Sequence, residues 1–308
     1  LRVVFAGSGA VGSHYGSRMQ QAGNEIIYLA RGAHLEALQK YGLLHESEGR
    51  RLSLKVHAGC APDLAAGADV VVFSSKMTGL EDLIETVKGS ITPDSLLVTL
   101  QNGIEAPDWV AKAFPDNAVA AGSAFIGARL EAPGHVIHSA AGGIRLGLWQ
   151  CGAGEHQLCG LVEQLQAGHV PARIDDDPAA MLWRKLLWNT GFNAITAISR
   201  RFAREMCESE ELLAIVQAAM RETVAVALAE GIDIGEQDIL RHIDATLMMG
   251  PVKTSMWQDI EAGHLTEVDY LNGVVVRRGA GHDIATPVNR MLTALVHAVE
   301  GSGRKPGV

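Results

Sequence analysis

The chain has 308 residues, 47% of them apolar and 20% charged, a balance that excludes a disordered protein and suits two folded domains. Its 26 Lys and Arg stand against 35 Asp and Glu, a formal charge of −9, which argues against nucleic acid and anionic membranes as partners because both require a basic face. The longest run without Lys, Arg, Asp or Glu is Val3–Ser17, too short and glycine-rich for a bilayer span of about 20 apolar residues; with no signal-peptide pattern at the start, a cytoplasmic protein is expected.

In chain order, Leu1–Ala6 reads as a strand, Gly7–Gly12 as a glycine turn and Ser13–Gln21 as a helix. A second strand follows at Glu25–Leu29, a helix at His34–Lys40 and a small β excursion over Leu43–His57. Asp69–Phe73 and Ser95–Leu100 are further strands, with helices at Gly79–Lys88 and Pro107–Ala113. Unbroken Val, Leu and Ile runs between helices are what strands covered on both faces require, so the first half predicts a parallel α/β sheet. His135–Ser139 and Ile144–Trp149, joined across Ala140-Ala141-Gly142-Gly143, read as an antiparallel hairpin.

Beyond residue 178 the pattern is entirely helical, with segments near 179–196, 206–230, 236–247, 254–262, 266–281 and 287–300. Asp177-Pro178 is a helix start with Asp as N-cap and Pro at the first helical position. The expected domains are therefore 1–174, α/β, and 175–308, all-α, with Gly301–Val308 as a loose tail. Cys60, Cys151, Cys159 and Cys207 form no C-x-x-C and no paired His spacing, so neither a structural metal nor a disulfide framework is expected. The long apolar helices permit a homodimer without demanding one.

Gly7-Ser8-Gly9-Ala10-Val11-Gly12 fits G-x-G-x-x-G and sits between a strand and a helix, the context that gives this motif meaning. The first glycine permits the turn, the second lets backbone approach a pyrophosphate, and the third lets helix pack on strand. The helix N-terminus offers free N–H groups to that anion. At the end of the second strand Leu29-Ala30-Arg31-Gly32 carries no acid for a ribose 2′-hydroxyl. Arg31 suits a 2′-phosphate instead, which favours NADP(H) over NAD(H). Lys76 and Asn102 end the next two strands, where α/β sheets bind ligands, although both also fit plain turn chemistry.

In the helix at 179–196, Lys185, Asn189 and Asn193 fall at i, i+4 and i+8, a narrow polar line on an otherwise apolar, tryptophan-rich helix. A buried ammonium needs an anion or a carbonyl beside it. Asp259, Glu261, Glu267 and Asp269 are the candidate acids, and spacing does not choose among them.

The chain resembles the ketopantoate reductase (2-dehydropantoate 2-reductase) family over nearly its whole length. The resemblance rests on G-S-G-A-V-G-S at 7–13, S-K at 75–76, Q-N-G at 101–103, L-W-R-K-L at 182–186 with N-x-x-x-N at 189–193, S-M-W-Q-D at 255–259 and T-E-V-D-Y-L-N-G at 266–273. It implies a Rossmann domain followed by a helical domain similar to that of 6-phosphogluconate dehydrogenase. It further implies NADPH-dependent reduction of a 2-oxo acid, with Lys185 as general acid and Glu267 as the carboxylate paired with the substrate or the lysine. Asn102, Asn189, Asn193 and Ser255 match substrate-binding positions. Asn102 also lies beside the nicotinamide, while Arg31 and Lys76 match cofactor contacts. The chain departs from the family at Ala194, where proline is common, and at Ser199-Arg200-Arg201, where small or polar residues are common. A reductase of another 2-oxo acid is thus the alternative, followed by a non-catalytic NADP-binding sensor.

Overall fold

The computed structural model describes residues 1–302. It divides into one unit comprising residues 1–101 and 105–178 and a second comprising 102–104 with the chain from Ala179 onward.

The first unit is built on β1 (Arg2–Ala6), α1 (Ala10–Gln21), β2 (Glu25–Leu29), α2 (Gly32–Tyr41), β3 (Leu43–Ser47), β4 (Arg50–Leu54), β5 (His57–Gly59), β6 (Val70–Phe73), α3 (Leu80–Val87), β7 (Leu96–Thr99), α4 (Ala106–Ala113), β8 (Val119–Ala132), β9 (His135–Gln150), α5 (Gln157–Ala167) and β10 (Ala172–Ile174). The strands form one sheet in the order β4-β3-β9-β8-β7-β6-β1-β2-β5, with β10 added on β9. From β5 to β8 every pairing is parallel, giving the doubly wound order whose direction reverses between β1 and β6. Register aligns Ala6, Phe73, Thr99 and Ala121 in one row across β1, β6, β7 and β8.

One face of this sheet, with Val3, Phe5, Val72, Val98 and Ala120, closes on Tyr15 and Met19 of α1 and Leu161 and Leu165 of α5 in the main core. The alternate residues point the other way, as the two-residue period of a strand requires, and there Phe73 meets Phe114 at 6.2 Å between ring centroids.

The hairpin differs from the sequence expectation. His135–Ser139 and Ile144–Trp149 belong to one strand, β9, which pairs with β8, and the reversal lies at Gly134, whose φ of +75° suits glycine. Ala140–Gly143 stays inside β9 as a bulge: Ala141 and Gly142 adopt positive φ, and the register to β8 shifts beside Phe125 and Gly127. A bulge and a turn both place small residues at positive φ, which is why the sequence reads alike for both. The unit division at residue 178 also lies beyond the expected 174. β10 and Asp175 explain the difference, since Asp175 donates its N–H to Leu146 and pairs its carboxylate with Arg145.

The second unit comprises α6 (Pro178–Ser199), α7 (Ala203–Cys207), α8 (Glu210–Ala229), α9 (Glu236–Leu247), α10 (Ser255–Glu261), α11 (Asn272–Gly281) and α12 (Pro287–Ser302). α6 is its axis, and its polar side chains and carbonyls tie it to its neighbours. Thr190 shares a 3.0 Å hydrogen bond with Thr223 of α8, and Trp188 donates to Thr246 of α9 at 3.0 Å. Thr196 shares 2.8 Å with Thr254 at the start of α10, and Asn272 of α11 donates to the Thr190 carbonyl at 3.0 Å. At Gly191 a Cβ would stand 2.5 Å from Met220 Cε, so glycine sets how closely α6 and α8 approach. α8 is long and apolar enough to cross a membrane by length and composition, yet Val216, Met220, Thr223 and Val226 on it are buried within the unit.

Two helix boundaries also correct the sequence reading. Ser209 caps α8 by accepting from the Leu212 N–H, which splits the expected 206–230 segment into α7 and α8. The expected helix at 266–281 begins only at Asn272. Before it, Thr266 Oγ accepts from the Val268 N–H and Val268–Tyr270 forms a single 3₁₀ turn. α12 runs through Ser302, so the expected loose tail starts later, and residues 303–308 lie outside those described.

Three histidines distant in sequence meet inside the first unit. His14 Nδ1 and His45 Nε2 share a hydrogen bond of 3.0 Å, the His138 ring lies tilted against His14 at 4.3 Å between centroids, and Arg18 donates to Ser47, which contacts His138. Burial, then the neighbouring His138, His45 and Arg18, pushes His14 down to about 2. Burial, with Arg18 and His138, pushes His45 down to about 4. The unfolded chain therefore binds more protons than the folded one below the ordinary value near 6.5, and stability present above that pH is lost as pH falls toward 4. The thermal midpoint should accordingly drop by several degrees between pH 7 and 5, and His45→Gln should flatten that slope. An unchanged slope in the variant would remove His45 as a cause.

Candidate functional site

The glycine turn leaves β1 and enters α1, and each of its glycines meets a different constraint. Gly7 has φ +86°, and a Cβ there would lie 2.7 Å from the Ser75 backbone nitrogen. Gly9, the N-cap of α1, has open space where a Cβ would stand. At Gly12 a Cβ would fall 2.4 Å from Ser74 Oγ, which itself donates to the Gly7 carbonyl at 2.8 Å. Ser8 donates through its hydroxyl and its N–H to the Leu29 carbonyl, pinning the turn to the end of β2. Ala10 and Val11 begin α1, whose first turn contains no acid and no side-chain cap. The N–H groups of that turn have no intrahelical acceptor and the helix dipole favours an anion there. The room at Gly9 and the absence of a competing carboxylate fit a dinucleotide pyrophosphate.

Arg31 is the exposed N-cap of α2 directly beyond β2, and Lys76 is exposed just beyond β6. These two cations and the glycine turn all lie at the carboxyl ends of β1, β2 and β6, within the first unit.

In the second unit the polar line of α6 is partly enclosed. Asn189 and Asn193 are buried, and Asn193 Nδ2 donates to Asn189 Oδ1 at 3.3 Å. Asn189 Nδ2 and Asn193 Oδ1 are left buried without a protein partner. Lys185 keeps part of its surface open. The protein packed around it pushes its pKa down to about 8, against the opposing effect of Glu267, which raises it. Of the four candidate acids, Glu267 alone is buried, and it accepts from Asn102 Nδ2 at 3.0 Å. Glu261 instead holds Lys253 at 2.6 Å and Trp257 at 3.0 Å, and the exposed Asp269 meets His297 at 3.1 Å. Asp259 is half-buried. Ser255 opens α10 as an exposed residue, next to Thr254, whose bond to Thr196 anchors α10 on α6 one turn beyond Asn193.

Lys185, Glu267 and Asn102 thus form one electrostatically linked group, although 165 residues separate Asn102 from Glu267. Sequence reasoning did not single out Thr196 and Thr254, because a buried threonine that bonds back to its own helix looks like any other. Neither did it find the orphaned atoms of Asn189 and Asn193, which only packing reveals. Among the described residues no group of three or more His, Cys, Asp or Glu is placed to hold a metal.

Two family models cover most of the chain: ketopantoate reductase PanE/ApbA over residues 3–150, and its C-terminal counterpart over 177–300. The chain belongs to the ketopantoate reductase family. It is 31% identical over 300 residues to the 2-dehydropantoate 2-reductase of Archaeoglobus fulgidus, covering 97% of this chain and 98% of the relative. To the enzyme of that name from Streptococcus pyogenes serotype M3 it is 28% identical over 305 residues, covering 97% and 98%. Among solved structures, a PanE/ApbA family ketopantoate reductase from Ralstonia eutropha JMP134 superimposes with a TM-score of 0.90 at 31% identity, covering 99% of this chain and 100% of that one. A D-mandelate dehydrogenase with NADH and anilino(oxo)acetate superimposes with a TM-score of 0.92 at 27% identity, covering 98% and 99%. Family membership makes the chain an oxidoreductase with a Rossmann-like first half, and the family contains members of different substrate.

The crowding at Gly12 and the space at Gly9 give opposite stability outcomes. Gly12→Ala should lower stability by about 1–3 kcal/mol, the scale of overpacking a tight site. Gly9→Ala should stay within about 0.5 kcal/mol of the parent, the usual range away from packed features. Denaturant unfolding of both variants checks this, and equal losses would contradict the packing described.

Proposed function

We propose that the chain reduces 2-dehydropantoate to (R)-pantoate with NADPH, a step on the route to pantothenate and coenzyme A. The first unit would hold the cofactor and the helical unit the substrate. The observation that carries this reading is the group formed by Lys185, Glu267 and Asn102 beside two asparagine amides with unused hydrogen-bonding atoms. The family membership and the relatives named 2-dehydropantoate 2-reductase support the substrate class.

A bound reduced nicotinamide supplies hydride to the ketone carbon. The residues of the chain supply the rest. Lys185, with its pKa lowered to about 8, holds a proton at neutral pH and releases it more readily than an ordinary lysine. Its ammonium stabilises the negative charge that develops on the ketone oxygen and delivers the proton there. Glu267 keeps the lysine charged against burial and fixes the Asn102 amide at 3.0 Å. Asn189, Asn193 and Ser255 would hold the substrate's carboxylate and hydroxyl, which sets the carbonyl in place before reaction. The glycine turn Gly7–Gly12 would take the pyrophosphate, and Arg31 with Lys76 the 2′-phosphate and neighbouring groups.

The second reading is reduction of a different 2-oxo acid. The D-mandelate dehydrogenase likeness favours it, together with Ala194 and Ser199-Arg200-Arg201. NADPH oxidation with 2-dehydropantoate, phenylglyoxylate and other branched 2-oxo acids separates the two by their kcat/KM values.

Lys185→Ala should lower kcat for ketone reduction by at least about 100-fold, the usual scale of general-acid help. In the parent, kcat/KM should decline as pH rises through about 8, because only the protonated lysine donates. A flat profile from pH 7 to 9.5 would remove Lys185 from that role. Arg31→Ala should weaken NADPH much more than NADH, by roughly tenfold or more for one lost charge-assisted contact. Equal losses for both cofactors, read by fluorescence titration, would exclude the 2′-phosphate assignment.

A further inference from the structure

α10 is a helix of only seven residues, and the chain at 250–252 before it and at 262–265 after it is exposed. Its seat on the unit is therefore made by few side chains. Met256 and Trp257 are buried, and the Trp257 ring lies 5.4 Å from that of Phe202 between centroids. Apolar burial of this kind holds the helix down but is non-directional, so it does not by itself fix where each residue of the helix points.

Direction comes from Thr254. Its hydroxyl shares a 2.8 Å hydrogen bond with that of Thr196 on α6, and both residues are buried. Counting protons orders the pair, because each hydroxyl has one hydrogen to give and two lone pairs to accept with. Thr196 Oγ1 lies 2.8 Å from the Phe192 carbonyl and 3.1 Å from the Asn193 carbonyl, and a carbonyl can only accept. Thr254 Oγ1 accepts from the Trp257 N–H at 3.4 Å as the N-cap of α10. The hydrogen between the two hydroxyls therefore belongs to Thr254. A directed chain runs from the first turn of α10 through Thr254 and Thr196 into the α6 backbone at Phe192 and Asn193. Ser255 follows Thr254 directly and opens α10. Asn193, about one turn before Thr196, belongs to the polar line with Lys185 and Asn189, and its Oδ1 is buried with no protein partner.

We propose that Thr196 and Thr254 are positioning residues for ketone reduction: their hydrogen bond fixes where the Ser255 hydroxyl stands relative to the Asn193 amide, so that both reach one 2-oxo acid. This rests on the reductase function proposed above. Thr196 is fully buried and Thr254 is 5% exposed, so neither meets the substrate and both act through Ser255. Geometry held in this way weighs heavily on turnover, since a displacement of about 1 Å can cost roughly 100-fold.

Steady-state kinetics of the intact chain, with NADPH and the best of 2-dehydropantoate, phenylglyoxylate and other branched 2-oxo acids, tests this through a double-mutant cycle. Thr196→Val keeps the size of the side chain and loses its hydroxyl. It should raise KM for the 2-oxo acid about 10-fold, the scale of one charge-assisted hydrogen bond, with kcat within about twofold and the Kd of NADPH unchanged. Ser255→Ala should raise KM by a similar factor. On the Ser255→Ala background, Thr196→Val should change KM by less than about twofold, because the group it positions is gone. Thr196→Ser restores the hydroxyl while giving up the methyl group, and should return KM to within about twofold of the parent even where its thermal midpoint falls. Thr196→Ala takes the place of the valine variant should that one not fold. An unchanged KM in Thr196→Val or Ser255→Ala, a second 10-fold rise on the Ser255→Ala background, or a serine variant no better than the valine one overturns the positioning role and leaves the reductase reading standing. A parent chain that binds NADPH yet reduces none of the 2-oxo acids overturns that reading, and the positioning role with it.

Discussion

Burying an ammonium costs several kcal/mol unless a counter-charge and hydrogen-bond acceptors stand beside it, and the second unit is arranged around that requirement at Lys185. The helix that carries it, α6, is apolar on nearly every side, so its neighbours pack closely and leave few groups to offset the charge. Glu267 answers from a separate segment, and its own burial is eased by the Asn102 amide. Placing this carboxylate demands that the chain interrupt its helix before Asn272. The short 3₁₀ turn at Val268–Tyr270 does so and leaves Glu267 at its N-cap. A regular helix from 266 would turn Glu267 to a different bearing.

The same logic of unpaired polar groups runs through both units. In the second it leaves atoms of Asn189 and Asn193 unused, and in the first atoms of Ser75, Gln101 and Ser123. Elsewhere the buried threonines of α6 are bonded to neighbouring elements, Thr190 to Thr223 of α8 and Thr196 to Thr254 at the start of α10.

Much of this was legible in the sequence because its signals are local. A strand, three glycines and a helix start lie within a dozen residues, and Lys185, Asn189 and Asn193 repeat at a helical interval. The β9 strand was misread because Ala140–Gly143 has turn composition but bulge conformation, and only pairing with β8 distinguishes the two. Glu267 was one acid among four by spacing. Burial is what separates it, a property of the folded chain. The His14, His45 and His138 cluster had no signal at all, since its members come from one helix and two strands far apart in sequence.

The glycine turn has a consequence for altering nucleotide preference. Gly7 is held by its backbone angle and by the Ser75 backbone, so it admits no side chain without moving the neighbouring strand end, and a side chain at Gly12 would have to displace the Ser74 hydroxyl. Arg31, the N-cap of α2 just beyond β2, is exposed. On the proposed function, any drift in cofactor choice, natural or engineered, would therefore run through the outer end of the second strand, while the loop proposed to meet the shared pyrophosphate would stay fixed.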